Sequence, residues 1–244
     1  MKQLFILTLL TFSLIACNKE KTDPTANWDA LRLYNEAKLA MDSANFSTAI
    51  DYLESLESRY PFGKYATQAQ LDVIYAYYQY NELDSTVAAA DRFIKLNPRH
   101  PNVDYAYYIK GLANFNRGGT ILDKLQERDF SQFDPNILQQ SFNDLSTLVT
   151  LFPESRYAAD TQQRLIFLRN QMARAQLNIA NYYVSRGAWT AAANRAKQIL
   201  IQYQGSEVVK QALEVQLLSY QKLELNDLAE DVQRIIDINY KNES

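Results

Sequence analysis

Residues 45–61 read NFSTAIDYLESLESRYP, and the same phrase returns along the chain. It aligns with ELDSTVAAADRFIKLNP at 82–98, ILQQSFNDLSTLVTLFP at 137–153 and AWTAAANRAKQILIQYQ at 188–204. A weaker copy, LELNDLAEDVQRIIDINY, covers 223–240. Each copy opens on small polar residues, continues with apolar residues at helical spacing, and in three cases closes on proline. Proline ends a helix because it has no N–H and its ring clashes with the preceding turn. Gln204 stands where the fourth proline would be.

A second amphipathic segment precedes every copy. Leu33, Ala37, Ala40 and Met41 form one stripe in 30–42. Ala69, Val73, Ala76, Tyr77 and Tyr80 form another in 67–80, and Ala106, Tyr107, Ile109, Lys110 and Ala113 a third in 104–115. Spacings of three and four mark helices with one buried face. Residues 158–186 run without glycine or proline, and 208–223 complete the set. Helix, short turn, helix and a stop, repeating every ~34–37 residues, is the tetratricopeptide pattern. Small residues at Ala37, Ala49 and Ala192 let paired helices approach closely. The expected fold is all-α: a tetratricopeptide-repeat (TPR) solenoid of about five helix hairpins, with a concave face. A non-repeating helical bundle is the alternative that four phased copies disfavour.

Two departures from the period divide the chain. The third copy is too long, with an insertion at about 116–136 that contains Gly118-Gly119 and Asp134-Pro135. Loops of that length are usually functional or mobile. The unbroken stretch at about 158–186 reads as one long helix linking repeats three and four. The expected organisation is an N-terminal half at 28–155 (repeats one to three) and a C-terminal half at 156–244 (repeats four and five).

The first 27 residues are of another kind. Met1-Lys2 precede an apolar run from Leu4 to Ile15, too short to span a bilayer, which needs ~20 apolar residues, but suited to the core of a secretory signal. Leu14-Ile15-Ala16-Cys17 resembles a bacterial lipobox, and Cys17 is the single cysteine of the chain. Residues 1–16 are thus read as a signal peptide, Cys17 as the acylated first residue, and 17–27 as a lipid-anchored tether. Asn18, rather than aspartate, favours the outer membrane. An unmodified cysteine after an ordinary signal, or a buried N-terminal helix, are the competing readings.

Composition excludes several functions. The net charge of −3 is wrong for a nucleic-acid binder. With one histidine, His100 between two prolines, and no thiol left after acylation, a metal site is not expected, nor a cofactor. No nucleophile motif or phosphate-cradling loop is present, so an enzyme is not expected; a peptidoglycan hydrolase would need a catalytic set the sequence lacks.

Aromatic residues are abundant: 17 tyrosines and 11 phenylalanines. RYPFGKYATQAQLDVIYAYYQY at 59–80 is the densest stretch. On one helix Tyr77 and Tyr80 share a side and Tyr75 and Tyr78 another, so one seam cannot bury both. Tyrosine gives contact area at low entropic cost. Tyr60, Phe62, Tyr65, Tyr75 and Tyr78 are therefore the candidate groove for an extended peptide. Arg195, a long cation among Ala191, Ala192, Ala193 and Ala196, is either an exposed contact or half of an internal ion pair.

RYPFGKYATQAQLDVIYAYYQ, HPNVDYAYYIKGLANF and YYVSRGAWTAAANRA, with Cys17 and the long third repeat, resemble the BamD (ComL/YfiO) family of lipoproteins in the outer-membrane β-barrel assembly machinery. The resemblance covers nearly the whole chain after Cys17. It implies a non-enzymatic scaffold on the periplasmic face of the outer membrane. It implies binding to the POTRA domains of BamA through the C-terminal repeats, to the lipoproteins BamC and BamE, and to unfolded outer-membrane β-barrel proteins through the N-terminal repeats. Arg195 then becomes the candidate BamA contact. The rival reading is a TPR lipoprotein pilotin for a type IV pilus or secretion secretin, which generally has more uniform repeats and no such insertion.

Overall fold

The computed structural model describes residues 23–117 and 134–240. Among them are ten α-helices and no strand, arranged as five consecutive hairpins. Helices α1 (Ala30–Asp42) and α2 (Phe46–Arg59) form the first, and α3 (Ala66–Gln79) and α4 (Leu83–Leu96) the second. Helices α5 (Val103–Arg117) and α6 (Pro135–Leu151) form the third, α7 (Ala158–Ser185) and α8 (Trp189–Gln202) the fourth, and α9 (Val209–Lys222) and α10 (Asn226–Tyr240) the fifth. Every helix packs on its neighbour in sequence, and α3 also touches α5, as α7 touches α9. The odd-numbered helices thus crowd together and line the inside of the stack. The residues read as a signal peptide, Cys17 and most of the insertion lie outside the described residues.

The turns inside the hairpins share one geometry. After α1, Ala44 adopts φ 58°; after α3, Asn81 adopts 65°; after α7, Gly187 adopts 67°; after α9, Glu224 adopts 58°. In each case the next residue donates back across the turn: Asn45 N–H to Ala40 O (2.8 Å), Glu82 to Tyr77 (2.9 Å), Ala188 to Tyr183 (3.0 Å) and Leu225 to Tyr220 (3.0 Å). This closure of the last helical carbonyls around a left-handed residue is the Schellman motif, usually built on glycine. Of these four turns, only the one after α7 uses glycine there.

The turns between hairpins repeat too. Tyr60, Asn97, Phe152 and Tyr203 end the even helices with φ between −133° and −124°. A residue before proline is driven out of the helical region, which accounts for the first three. Gly63, His100, Ser155 and Ser206 then donate their N–H groups back to those four carbonyls at 3.0–3.1 Å. The fourth turn has Gln204 in place of proline and a left-handed Gly205 (φ 70°), so it closes by a different backbone route to the same hydrogen bond.

The predicted stripes are the core except at Tyr80, the residue just after α3, which is 49% exposed. Leu33, Ala37, Ala69, Val73, Ala76, Ala106, Ile109 and Ala113 are buried, and so are the small contacts Ala49 and Ala192. Lys110, placed by its spacing on the apolar stripe, instead reaches Asp91 on α4 at 2.8 Å and Asp144 on α6 at 3.0 Å. Gly111 lets α6 approach: a Cβ there would lie 2.3 Å from Leu145 Cδ2. The first buried cluster runs from Leu33 to Leu112. A second joins Phe115, Leu138 and Leu145 to Leu168 and Met172 in the first half of α7, and a third joins Ala173, Leu177 and Ala180 in its second half to α8 and α9. The 28-residue α7, ~42 Å long at 1.5 Å per residue, is thus the shared strut between the third and fourth hairpins.

Residues 23–27, read as the end of the tether, are fastened to the first hairpin. Thr25 is buried, and Tyr60 donates its hydroxyl to Trp28 O at 3.1 Å.

Candidate functional site

On the inner face of the first three hairpins the odd helices leave a cleft of about 330 Å³. Helix α3 supplies its floor. Gln68, Asp72 and Tyr75 stand at i, i+4 and i+7, one stripe of a helix, while Ala69, Val73 and Ala76 take the core stripe beside it. Helix α1 contributes Lys38 and Met41, and the far wall is Tyr105 of α5 with Arg156 from the turn before α7.

Asp72 organises the floor. It is almost fully buried and accepts from Gln68 Nε2 at 2.8 Å and Tyr34 Oη at 3.2 Å, with Lys38 Nζ at 3.7 Å. A buried carboxylate needs such partners. Burial, and then the neighbouring Asp72 charge, pushes the Tyr34 phenol up to about 12. Burial likewise raises Tyr105 well above the usual phenol range.

An aromatic wall continues from the cleft along α5 and α7. Tyr157 lies 5.8 Å from Tyr105 and is stacked on Tyr108 at 4.5 Å, with Arg156 over its outer face at 4.7 Å. Tyr108 donates to Asp160 Oδ2 at 2.7 Å; Arg164 holds the same carboxylate at 2.6 Å and covers Phe115 at 5.3 Å. The cleft walls therefore combine ring surface, amide groups and two cations against one internally satisfied acid. Among the described residues no group of three or more His, Cys, Asp or Glu could hold a metal ion, and no helix is long and apolar enough to cross a membrane.

The structure distributes the five aromatic candidates. Tyr75 lines the cleft and meets Phe46 edge-on at 6.0 Å. Tyr65 stacks on Tyr34 at 5.1 Å, which joins it to the Asp72 network. Tyr78 is one turn beyond, its hydroxyl accepting from Asn116 at 2.7 Å. Tyr60 faces Trp28, and Phe62 is 99% exposed in the turn between α2 and α3. Tyr77 turns the other way, to Glu54 on α2. Arg195 is half-buried and donates to Gln176 at 2.9 Å and Gln198 at 3.1 Å; among the described residues no carboxylate pairs with it. His100 packs edge-on against Phe93 at 5.3 Å and accepts from Asn102 N, a turn residue as expected. Sequence reasoning passed over Lys38, Asp72 and Arg156 in the cleft, and Tyr34, which bonds to Asp72. The one local signal was the i, i+4, i+7 stripe of polar and aromatic residues on α3.

Five helix hairpins with a lined inner face define a TPR-like binding protein. The chain belongs to the YfiO family, described as outer membrane lipoprotein, whose sequence profile matches residues 27–235. It is similar to the outer membrane protein assembly factor BamD of Neisseria gonorrhoeae, at 39% identity over 98% of this chain and 92% of that one. It is similar to the BamD of Vibrio cholerae at 37% (95% and 96% of the two chains), and to that of Xylella fastidiosa at 35% (97% and 82%).

Proposed function

We propose that this outer membrane lipoprotein acts as a non-catalytic assembly factor for outer-membrane β-barrel proteins. The observation that carries the reading is the aromatic, cation-rimmed cleft on the inner face of the first three hairpins. Its occupant is the extended, aromatic-ended segment of an unfolded barrel protein. Tyr75 and Tyr105 provide ring contact, Lys38 and Arg156 meet carboxylate, and Tyr65 and Tyr78 extend the surface to either side. The family and the three named relatives support the assembly role.

The two halves, 28–155 and 156–244, divide the work, with α7 fixing one to the other. Substrate binds the first half. BamA, through a POTRA domain, docks on the second, and BamC and BamE join the same assembly. Arg195 supports that division, because its positive charge is held in place by two neutral amides and is available to a partner's acid. Cys17 carries the lipid.

The test is titration of the purified protein with a labelled peptide copied from the last strand of an outer-membrane barrel. Tyr75→Ala and Tyr105→Ala together weaken binding by about tenfold or more, since each lost aromatic contact is worth ~1 kcal/mol. Unchanged affinity in a folded double variant would show that the peptide binds elsewhere. Arg195→Glu leaves peptide affinity alone and lowers recovery of BamA with the protein; full recovery refutes that contact.

A further inference from the structure

The tether does not hang free up to the first helix. Arg59, the last residue of α2, donates to Thr25 O at 2.6 Å and to Thr25 Oγ1 at 2.5 Å, and lies 3.7 Å from Asp23. Asp23 in turn accepts from Thr25 N at 2.8 Å and Oγ1 at 2.7 Å. These bonds fix the point where the chain leaves the fold. It is the edge of the stack that carries the turns between hairpins. From Cys17 to Asp23 is six residues, a leash of at most ~20 Å when fully extended.

That edge carries the most exposed large apolar side chain among the described residues. Phe62 is 99% exposed and sits three residues from Arg59, in the tight turn closed by Gly63 N–H to Tyr60 O at 3.1 Å. Along the same edge Leu96 and Leu151, the last residues of α4 and α6, are also exposed. Lys64, Lys95 and Arg99 stand exposed among them, with Glu154 as an acid nearby. Apolar side chains interspersed with cations suit the boundary between lipid headgroups and acyl chains.

We propose that this edge rests on the bilayer that holds the protein's own acyl chains, with the Phe62 ring inserted into the lipid and Lys64 and Arg99 against phosphate. The proposal rests on the reading that Cys17 carries the lipid. A short leash keeps the edge at high local concentration beside the membrane, so a few side chains suffice to hold it there. In this arrangement Phe62 is a membrane contact rather than part of the peptide groove.

The lone cysteine makes the test clean. In the acylated full-length protein Cys17 has no free thiol, so Phe62→Cys or Asn81→Cys each offers one position for a polarity-sensitive fluorophore. Asn81 is in the turn after α3, at the opposite edge. Each labelled protein is reconstituted into vesicles whose lipids carry a quencher on the acyl chain. The expected result, without peptide, is quenching at position 62 about threefold or more above that at position 81, as insertion by ~5–10 Å requires. Equal quenching at the two positions overturns the proposal. So does a response at position 62 that arises only when barrel peptide is added, since Phe62 would then belong to the cleft. A reactive thiol on the unsubstituted protein from membranes defeats the lipidation reading itself, and with it this proposal.

Discussion

Tyr34 on α1 donates its phenolic hydrogen to Asp72 on α3 at 3.2 Å, a bond that crosses from the first hairpin to the second over 38 residues. Neighbouring hairpins in such a stack hold one another mainly through apolar contact, so a buried polar link sets their relative angle. Tyr34→Phe removes one of the donors to Asp72 and should cost about 1 kcal/mol. Asp72→Ala strands both Tyr34 and Gln68 and should cost about 1–3 kcal/mol. A double-mutant cycle in urea should return a coupling of about 1 kcal/mol between the two residues. Additive effects would show that the pair is in contact without being linked.

The inner-face phenols give the fold an alkaline limit. Tyr34 and Tyr108 are each pushed up to about 12, by burial first and then by Asp72 and Asp160 respectively, and burial moves Tyr105 further in the same direction. The fold thus favours the neutral phenol. Its contribution is complete below the ordinary tyrosine value of ~10 and is lost as pH rises toward about 12. Phenolate absorbance should show these phenols, together with Tyr77, which burial and Glu54 also push upward, ionising after the other tyrosines, with loss of helical circular dichroism. Ionisation of all tyrosines in one step near the ordinary value, with the fold intact, would contradict the assigned bonds.

Much of this was legible in the sequence, and the reason is local. Helix period, the proline stops at Pro61, Pro98 and Pro153, and the small residues Ala37, Ala49 and Ala192 all act within one hairpin, so the repeat can be read from one copy and checked in the next. The cleft was not legible in the same way. Tyr34, Asp72, Tyr105 and Arg156 come together only when three hairpins stack, and nothing in their spacing states that angle. Tyr75 and Tyr78 were separable from Tyr77 by helix geometry, but Phe62 and Tyr60, two residues apart, differ through a turn that sends one ring to Trp28 and leaves the other in the open. The repeated left-handed turn was hidden because Ala44, Asn81 and Glu224 occupy it instead of glycine.

That turn supplies a pair of opposite-sign predictions. An L-residue in the left-handed region costs about 1–2 kcal/mol, partly offset in a glycine variant by the larger entropy of its unfolded chain. Ala44→Gly and Glu224→Gly should each raise stability by up to about 1 kcal/mol, whereas Gly187→Ala should lower it by about 1 kcal/mol. A Cβ on Gly187 meets nothing within 4 Å, so backbone strain alone is probed there. Urea midpoints read all three; a loss of stability in Ala44→Gly and Glu224→Gly would mean the turns do not hold the left-handed conformation.

Whether the inner cleft of the first three hairpins receives unfolded barrel polypeptide can be read by photocrosslinking in cells. A photoreactive amino acid is placed at position 75 on the cleft floor, and in separate proteins at Ser58 and Ala88 on exposed outer faces of α2 and α4. Cells making a barrel protein at a high rate are irradiated, and the adducts are identified by mass. Strong adducts are expected from position 75 to the C-terminal strand of the substrate, and few from 58 or 88. Equal adducts from all three positions, or none from position 75 while the protein still recovers BamA, would contradict binding in the cleft.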